Sequence, residues 1–312
     1  MQPQTIQTET SFQAPTEKRW KVWWNLLRPH TLTAAFVPVF IGTALALYDT
    51  SIDWPLFFAM LLASLLIQAA TNMINEYYDY KKGLDNENSV GIGGAIVRHG
   101  VKPSTVLQLA FAFFGIATLL GVYICMNSTW WLAAIGTACM AAGYFYTGGP
   151  YPIAYTPFGE IVAGFFMGFV IILISFYIQT GTISDTAMLI SIPISILVGA
   201  ILLANNIRDI VGDKENGRKT VAILLGRTNA ILLLAAMFIV SYALIIIFIA
   251  LGYASFWLLL VFLSVAKPLS AIKGFTNNNS NVTMMPAMVA TAKTNTIFGF
   301  LLGIGLVIGY FA

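Results

Sequence analysis

Two stretches of this 312-residue chain concentrate the side chains able to do chemistry. The first runs Asn72-Met-Ile-Asn75-Glu76-Tyr-Tyr-Asp79 and continues through Tyr-Lys81-Lys82-Gly-Leu-Asp85. The second is Asn205-Asn206-Ile-Arg208-Asp209-Ile-Val-Gly-Asp213. Side chains three and four apart stack on one side of a helix. Asn72, Asn75, Glu76 and Asp79 therefore share a face, as do Asn205, Asp209 and Asp213. Carboxylates and amide carbonyls are hard oxygen donors suited to Mg²⁺, which rarely takes an all-protein cage and completes its shell with water and substrate phosphates. Lys81, Lys82 and Arg98 accompany the first cluster, and Arg208, Lys214, Arg218 and Lys219 the second. Cations at that density suit a polyanion, so the combination reads as metal plus diphosphate. A solvated charged rim explains any one of these residues but not the recurrence of Asn and Asp at helical spacing in both stretches.

Membrane-spanning helices must carry these faces. The chain is 58% hydrophobic and 9% charged, against about 25% charged in soluble domains, and its apolar residues fall in runs long enough to cross a bilayer. The runs and the turn residues between them predict about nine helices, at 31–48, 54–75, 105–125, 129–146, 159–179, 186–206, 229–251, 253–267 and 291–311. The expected architecture is an all-α integral membrane bundle, with residues 1–27 a polar tail and residues 28–312 one transmembrane domain. With nine spans, every Lys and Arg falls on one side, while the opposite loops hold only Asp49, Asp53 and Asp185. The positive-inside rule then places the N-terminus and the long loops 76–104 and 207–228 in the cytoplasm, and the C-terminus outside. Asp79 and Asp209 stand 130 residues apart, one four-helix unit, as in a duplication whose halves each offer a carboxylate face at the same depth.

Other features carry less. Cys125 and Cys139 sit singly in apolar runs and read as small buried hydrophobes. His30 and His99 are isolated. Gly91-Ile-Gly93-Gly94 follows no strand, so it suits a flexible loop better than a nucleotide site. Tyr144 and Tyr146 lie at a helix end, where interfacial tyrosines are common; π faces that steady a cation are the second reading. Asn281-Val-Thr283 matches a glycosylation sequon on the cytoplasmic side. Nucleic acid is not an expected partner. A secondary transporter is the rival class, but it calls for charged or broken helices at the midplane, whereas these acids gather at helix ends.

The paired acidic stretches resemble those of the UbiA-type superfamily of aromatic prenyltransferases, whose first motif is NxxxDxxxD and second DxxxD. Asn75 and Asp79 match the first two positions; Gly83 stands where the third Asp is usual, and Asp85 follows two residues later. That longer spacing resembles the branch acting on 1,4-dihydroxy-2-naphthoate in menaquinone synthesis. So do Leu27-Arg28-Pro29-His30-Thr31, Tyr146-Thr-Gly-Gly-Pro-Tyr-Pro152 with Gly159-Glu160, and Gly217-Arg-Lys-Thr-Val221. The resemblance implies nine transmembrane helices around a central cavity in a multi-pass cell-membrane enzyme, with its site on the cytoplasmic side. It implies Mg²⁺ held by Asn75, Asp79, Asp85, Asn205, Asp209 and Asp213. Diphosphate would meet Arg28, Lys81, Lys82, Arg98, Arg208, Lys214 and Lys219, and Asp79, Asp209, Tyr144 and Tyr146 would be catalytic. The implied substrates are a polyprenyl diphosphate and 1,4-dihydroxy-2-naphthoate, with 4-hydroxybenzoate or haem as alternative acceptors.

Overall fold

The computed structural model describes residues 19–84 and 94–312, which contain helices and no strand. Besides the short turns Ile153–Tyr155 and Val221–Leu225, in chain order they are α1 (Arg19–Leu27), α2 (Pro29–Ala46), α3 (Trp54–Lys81), α4 (Pro103–Asn127), α5 (Trp131–Thr147), α6 (Gly159–Thr180), α7 (Asp185–Glu215), α8 (Arg227–Ala250), α9 (Phe256–Asn277) and α10 (Asn281–Phe311). Residues 19–27, expected as the end of a polar tail, instead form α1, whose Val22 and Leu26 are buried in a cluster with Ala70, Met73 and Ile74 of α3.

Nine spans were expected. Among the described residues, α3, α4 and α6 to α10 are seven helices long and apolar enough to cross, and α1 with α2, bent by 55°, makes an eighth. The expectation exceeds this count because α5 has 17 residues. It rises about 25 Å, short of the roughly 30 Å hydrocarbon. It nevertheless brings the chain back to where α4 began, because Thr147 Oγ1 donates to Asn75 Oδ1 at 2.6 Å and Lys82 Nζ to the Thr147 carbonyl at 2.8 Å. At the other end of the bundle, the Asp53 amide donates to Gln179 Oε1 at 2.7 Å, joining the start of α3 to the end of α6.

Polar caps set the helix starts. Asp53 accepts from the Leu56 amide at 3.0 Å, Ser184 accepts from Ala187 at 3.1 Å, and Ser280 and Thr283 form a capping box; such caps are worth about 1 kcal/mol each. The helices that carry the acidic stretches run past their expected ends at 75 and 206. α3 has 28 residues and α7 has 31, or about 42 and 46 Å, so their last turns project beyond the hydrocarbon as continuous helix. α10 likewise starts at Asn281, ten residues before its expected start.

Close approach holds α6 against α7. A Cβ on Gly164 or Gly168 would overlap the Ser195 backbone, and the stretch Gly164–Val170 is π-helical there. Small residues at such crossings let membrane helices touch along their backbones. Phe176, Ile194, Leu197 and Phe298 fill the interior, while Leu119, Ile239 and Leu263 point outward at 71%, 68% and 74% exposure. An apolar outer face with satisfied helical backbone is what a bilayer requires of its solute. This is a multi-pass membrane protein.

Candidate active site

One cavity of about 770 Å³ is lined by residues of both acidic stretches. Its polar part carries Asn72, Asn75 and Asp79 from α3 and Asn205, Arg208, Asp209 and Asp213 from α7. Its apolar part includes Met60, Ile67, Ile124, Phe166, Ile174 and Leu202. One end can hold charge and the other hydrocarbon.

Arg218 joins the two acidic faces. Its guanidinium donates to Asp213 Oδ1 at 3.0 Å and to Asp79 Oδ1 at 3.2 Å. Burial pulls the Arg218 pKa down, but Asp213, Asp79 and Tyr155 pull it up and hold it above its ordinary value. Arg208 makes a parallel pair of bonds to its neighbour Asp209, with Nε to Oδ1 at 2.8 Å, and its Nη1 lies 3.0 Å from the sulfurs of Met285 and Met288. Asp209 is therefore held by its own helix and Asp79 by an arginine 139 residues away.

The helical faces are sorted by these contacts. Asn72, Asn75 and Asp79 line the cavity. Glu76, expected beside them, is 1% exposed and accepts the Ile96 amide at 3.2 Å, which pins the segment beginning at Gly94 to α3. Asn72 donates to the Leu27 carbonyl at 3.0 Å and to Thr31 Oγ1 at 2.9 Å, tying the break between α1 and α2 to the same face. Arg28 stands at that break with φ +51°, and it lines the cavity. Arg98 also lines it, lying against Gly94, where φ is +85° and a Cβ would overlap the guanidinium.

Other expected members stand elsewhere. Lys81 and Lys219 are exposed and are not among the cavity-lining residues; Lys214 borders a separate shallow hollow with Ile210 and Gly226. Lys82 turns to the Thr147 carbonyl and lies 4.8 Å from the centroid of the Tyr155 ring. Burial lowers its pKa, Asp79 pulls the other way, and Arg218 adds to the lowering. The two tyrosines separate. Tyr146 lines the cavity, with its hydroxyl close enough to Gly159 that a Cβ there would sit 3.0 Å away. Tyr144 is not among the lining residues; its hydroxyl pairs with that of Tyr78 at 2.7 Å and its ring packs near Phe111 and Phe145. Asp85 and Gly91–Gly93 lie outside the described residues, as does the tail up to residue 18.

Residues that the acidic spacing did not single out also build the site. Thr147 and Tyr155 lie in or beside the turn-rich segment after α5 and touch the end of α3. Glu160 is buried and accepts from Asn206 at 2.9 Å, fixing the start of α6 to α7, while its other oxygen has no partner. Their sequence signal is the Tyr146–Glu160 stretch itself, with its Gly and Pro turn residues.

Among the described residues, no three His, Cys, Asp or Glu groups stand together as a ready cage for a metal. The donor set nevertheless fits Mg²⁺ completed by a substrate. Asp79, Asp209, Asp213, Asn75 and Asn205 line one cavity, Asp213 Oδ2 is buried without a partner, and the cations beside them match phosphate oxygens.

The sequence pattern of the UbiA prenyltransferase family matches residues 35–288. A 1,4-dihydroxy-2-naphthoate octaprenyltransferase of Bacillus subtilis (strain 168) is 59% identical over 308 residues, covering 99% of each chain. Among solved structures, the fold is similar to a UbiA homolog from Aeropyrum pernix K1 (TM-score 0.67, 16% identity, 90% of this chain and 98% of that one). It is also similar to a UbiA homolog from Archaeoglobus fulgidus bound to DMAPP and Mg²⁺ (TM-score 0.60, 16% identity, 90% and 99%).

Proposed function

The chain belongs to the UbiA prenyltransferase family, and from that membership we propose that it joins a polyprenyl chain from an allylic diphosphate to 1,4-dihydroxy-2-naphthoate, releasing diphosphate and CO₂ and giving demethylmenaquinol. The observation that carries the reading is the single cavity in which both acidic faces meet an apolar chamber. The choice of acceptor is supported by the full-length identity to the Bacillus subtilis enzyme and by the spacing from Asn75 to Asp85.

Asn75, Asp79, Asn205, Asp209 and Asp213 are the described residues that would hold Mg²⁺, with Asp85 added from the motif. When bound, the ion would neutralise charge growing on the departing diphosphate. The chain's own cations serve the same end: Arg28, Arg98, Arg208 and Arg218 line the cavity and stabilise the leaving group. Breaking the allylic C–O bond sends the electron pair to diphosphate. The allylic cation is left beside Tyr146 and the apolar lining, where a π face steadies it and little water can intercept it. The naphthoate carbon bearing the carboxylate supplies the electron pair of the new C–C bond. Loss of CO₂ then returns the C–C bonding pair to the ring and restores aromaticity. At that carbon decarboxylation takes the place of deprotonation, so the transfer requires no general base there. A long prenyl tail gains about 0.8 kcal/mol per buried methylene from the apolar chamber. We also place the protein in the cell membrane with the cavity mouth on the cytoplasmic side, because all its Lys and Arg fall to that side.

The test uses purified enzyme, polyprenyl diphosphate and acceptor labelled at the carboxylate carbon. Label should leave as CO₂ in step with diphosphate release, and 4-hydroxybenzoate should not substitute. Prenylated product that keeps the label would overturn the decarboxylative reading.

A further inference from the structure

The segment between α5 and α6, residues 148–158, contains no charged side chain, yet it makes contact with cations from both halves of the bundle. Gly148, Gly149, Pro150, Pro152 and Pro157 hold it in tight turns, and Ile153–Tyr155 closes one turn of 3₁₀ helix. The Tyr155 amide bonds the Pro152 carbonyl at 3.0 Å, and the Thr156 amide bonds the Ile153 carbonyl at 2.9 Å, so the ring is carried on a braced backbone. Lys82, one residue past the end of α3, places its ammonium 4.8 Å from the Tyr155 ring centroid, and Arg218, beyond α7, places its guanidinium carbon 5.2 Å from it. The Lys219 amide also donates to the Tyr155 carbonyl at 3.0 Å, so the loop following α7 is anchored to this residue through main chain as well.

Two cations on one aromatic ring repel each other unless something holds them. Asp79 offers one counterion, and it already bonds Arg218. The ring offers a second attraction, because its face carries negative quadrupole and is worth most where water is scarce. We infer that Tyr155 is a positioning residue for Arg218, the diphosphate cation that its ring holds against the cavity, with Lys82 packed on the same ring so that the ends of α3 and α7 keep a fixed separation. This rests on the diphosphate-binding reading above and adds to it a residue with no charge and no place among the cavity-lining side chains. The Tyr155 hydroxyl also interacts with the Arg218 guanidinium, so the ring face and the hydroxyl hold that cation together.

Two measurements test the inference on the purified full-length protein in detergent, with inorganic diphosphate plus Mg²⁺ as the probe for binding and allylic diphosphate as the probe for turnover. Tyr155→Phe keeps the ring but not the hydroxyl, and should bind diphosphate more weakly than the parent but more tightly than Tyr155→Leu. Tyr155→Leu should bind about tenfold more weakly, with KM for the allylic diphosphate raised and KM for the acceptor and thermal midpoint unchanged. Because a leucine also alters packing, phenylalanine at position 155 carrying one, two and three ring fluorines gives the cleaner series. Fluorination drains the π face while barely altering shape, so affinity for diphosphate should fall stepwise with each fluorine. Affinity that stays flat across the series, in protein whose parent binds diphosphate, overturns the role of Tyr155. A parent protein that binds no diphosphate overturns the underlying site reading and this inference with it.

Discussion

Arg218 donates to Asp79 across 139 residues of chain, and the same guanidinium holds Asp213. The arginine thus bridges the acidic ends of α3 and α7, with its side chain 15% exposed. Removing one partner from a largely buried charge network leaves the others unpaired. Arg218→Gln is expected to lower the thermal midpoint in the absence of metal. Added Mg²⁺ should restore more of it than in the parent, because a divalent ion can take over the neutralisation. Turnover should fall 10²–10³-fold, the usual loss for a group that stabilises a developing oxyanion. Melting curves with and without Mg²⁺ read the first effect and initial rates the second. Equal stabilisation of parent and variant by Mg²⁺ would count against a shared site.

Asp79→Ala and Asp209→Ala should each reduce turnover by at least about 10²-fold, while Lys273→Ala, an exposed charge on α9, should change little. Asp→Asn at the same positions should be milder, since an amide oxygen still coordinates. Turnover against Mg²⁺ concentration in folded protein is the deciding measurement. Near-normal turnover and Mg²⁺ dependence in Asp209→Ala would remove α7 from the metal site.

Tyr146 and Tyr144 should separate in activity as they do in space. Tyr144→Phe loses one hydrogen bond to Tyr78, a change of about 1 kcal/mol in stability, and should keep turnover within about twofold. Tyr146→Ala opens the cavity wall beside Gly159 and should lower kcat by about tenfold or more, the weight expected of a desolvated π face near a cation. The comparison is of kcat at saturating concentrations of both substrates.

Topology can be read with single cysteines in a Cys125→Ala, Cys139→Ala background. Asn216 and Thr182 are exposed and lie beyond opposite ends of α7. A membrane-impermeant thiol reagent applied to intact cells should label Thr182→Cys and spare Asn216→Cys. The reverse pattern would invert the assigned orientation.

Much of this was legible in the sequence because lipid imposes few solutions. Long apolar runs had to be helices, and Asn and Asp at helical spacing on two of them had to form faces. What periodicity could not sort was which residues on a face look inward. Glu76 sits one residue from Asn75 yet turns to the Ile96 amide, a contact made by a segment 20 residues away. Arg218 was visible as one cation among several, but its bridging position depends on how α3 meets α7. Lys81, Lys214 and Lys219 follow the acidic residues in sequence but are carried off the cavity by helical rotation and by the loop. Tyr155 carried no signal of its own, because a single aromatic in a turn acquires meaning only when two distant cations close on it.

Arg28 sets a conflict between durability and activity. It is the one non-glycine with a left-handed backbone among the described residues, a conformation that costs a residue bearing a Cβ about 1–2 kcal/mol. Its Nε is buried without a partner. Arg28→Gly would relieve the backbone and delete the unsatisfied donor together, so a selection for heat resistance alone would drift toward glycine at this position. The same change would take a cation from the cavity wall. Screens for robust variants of this protein should therefore be run under a requirement for product, or they will enrich well-folded chains that have lost their grip on the leaving group.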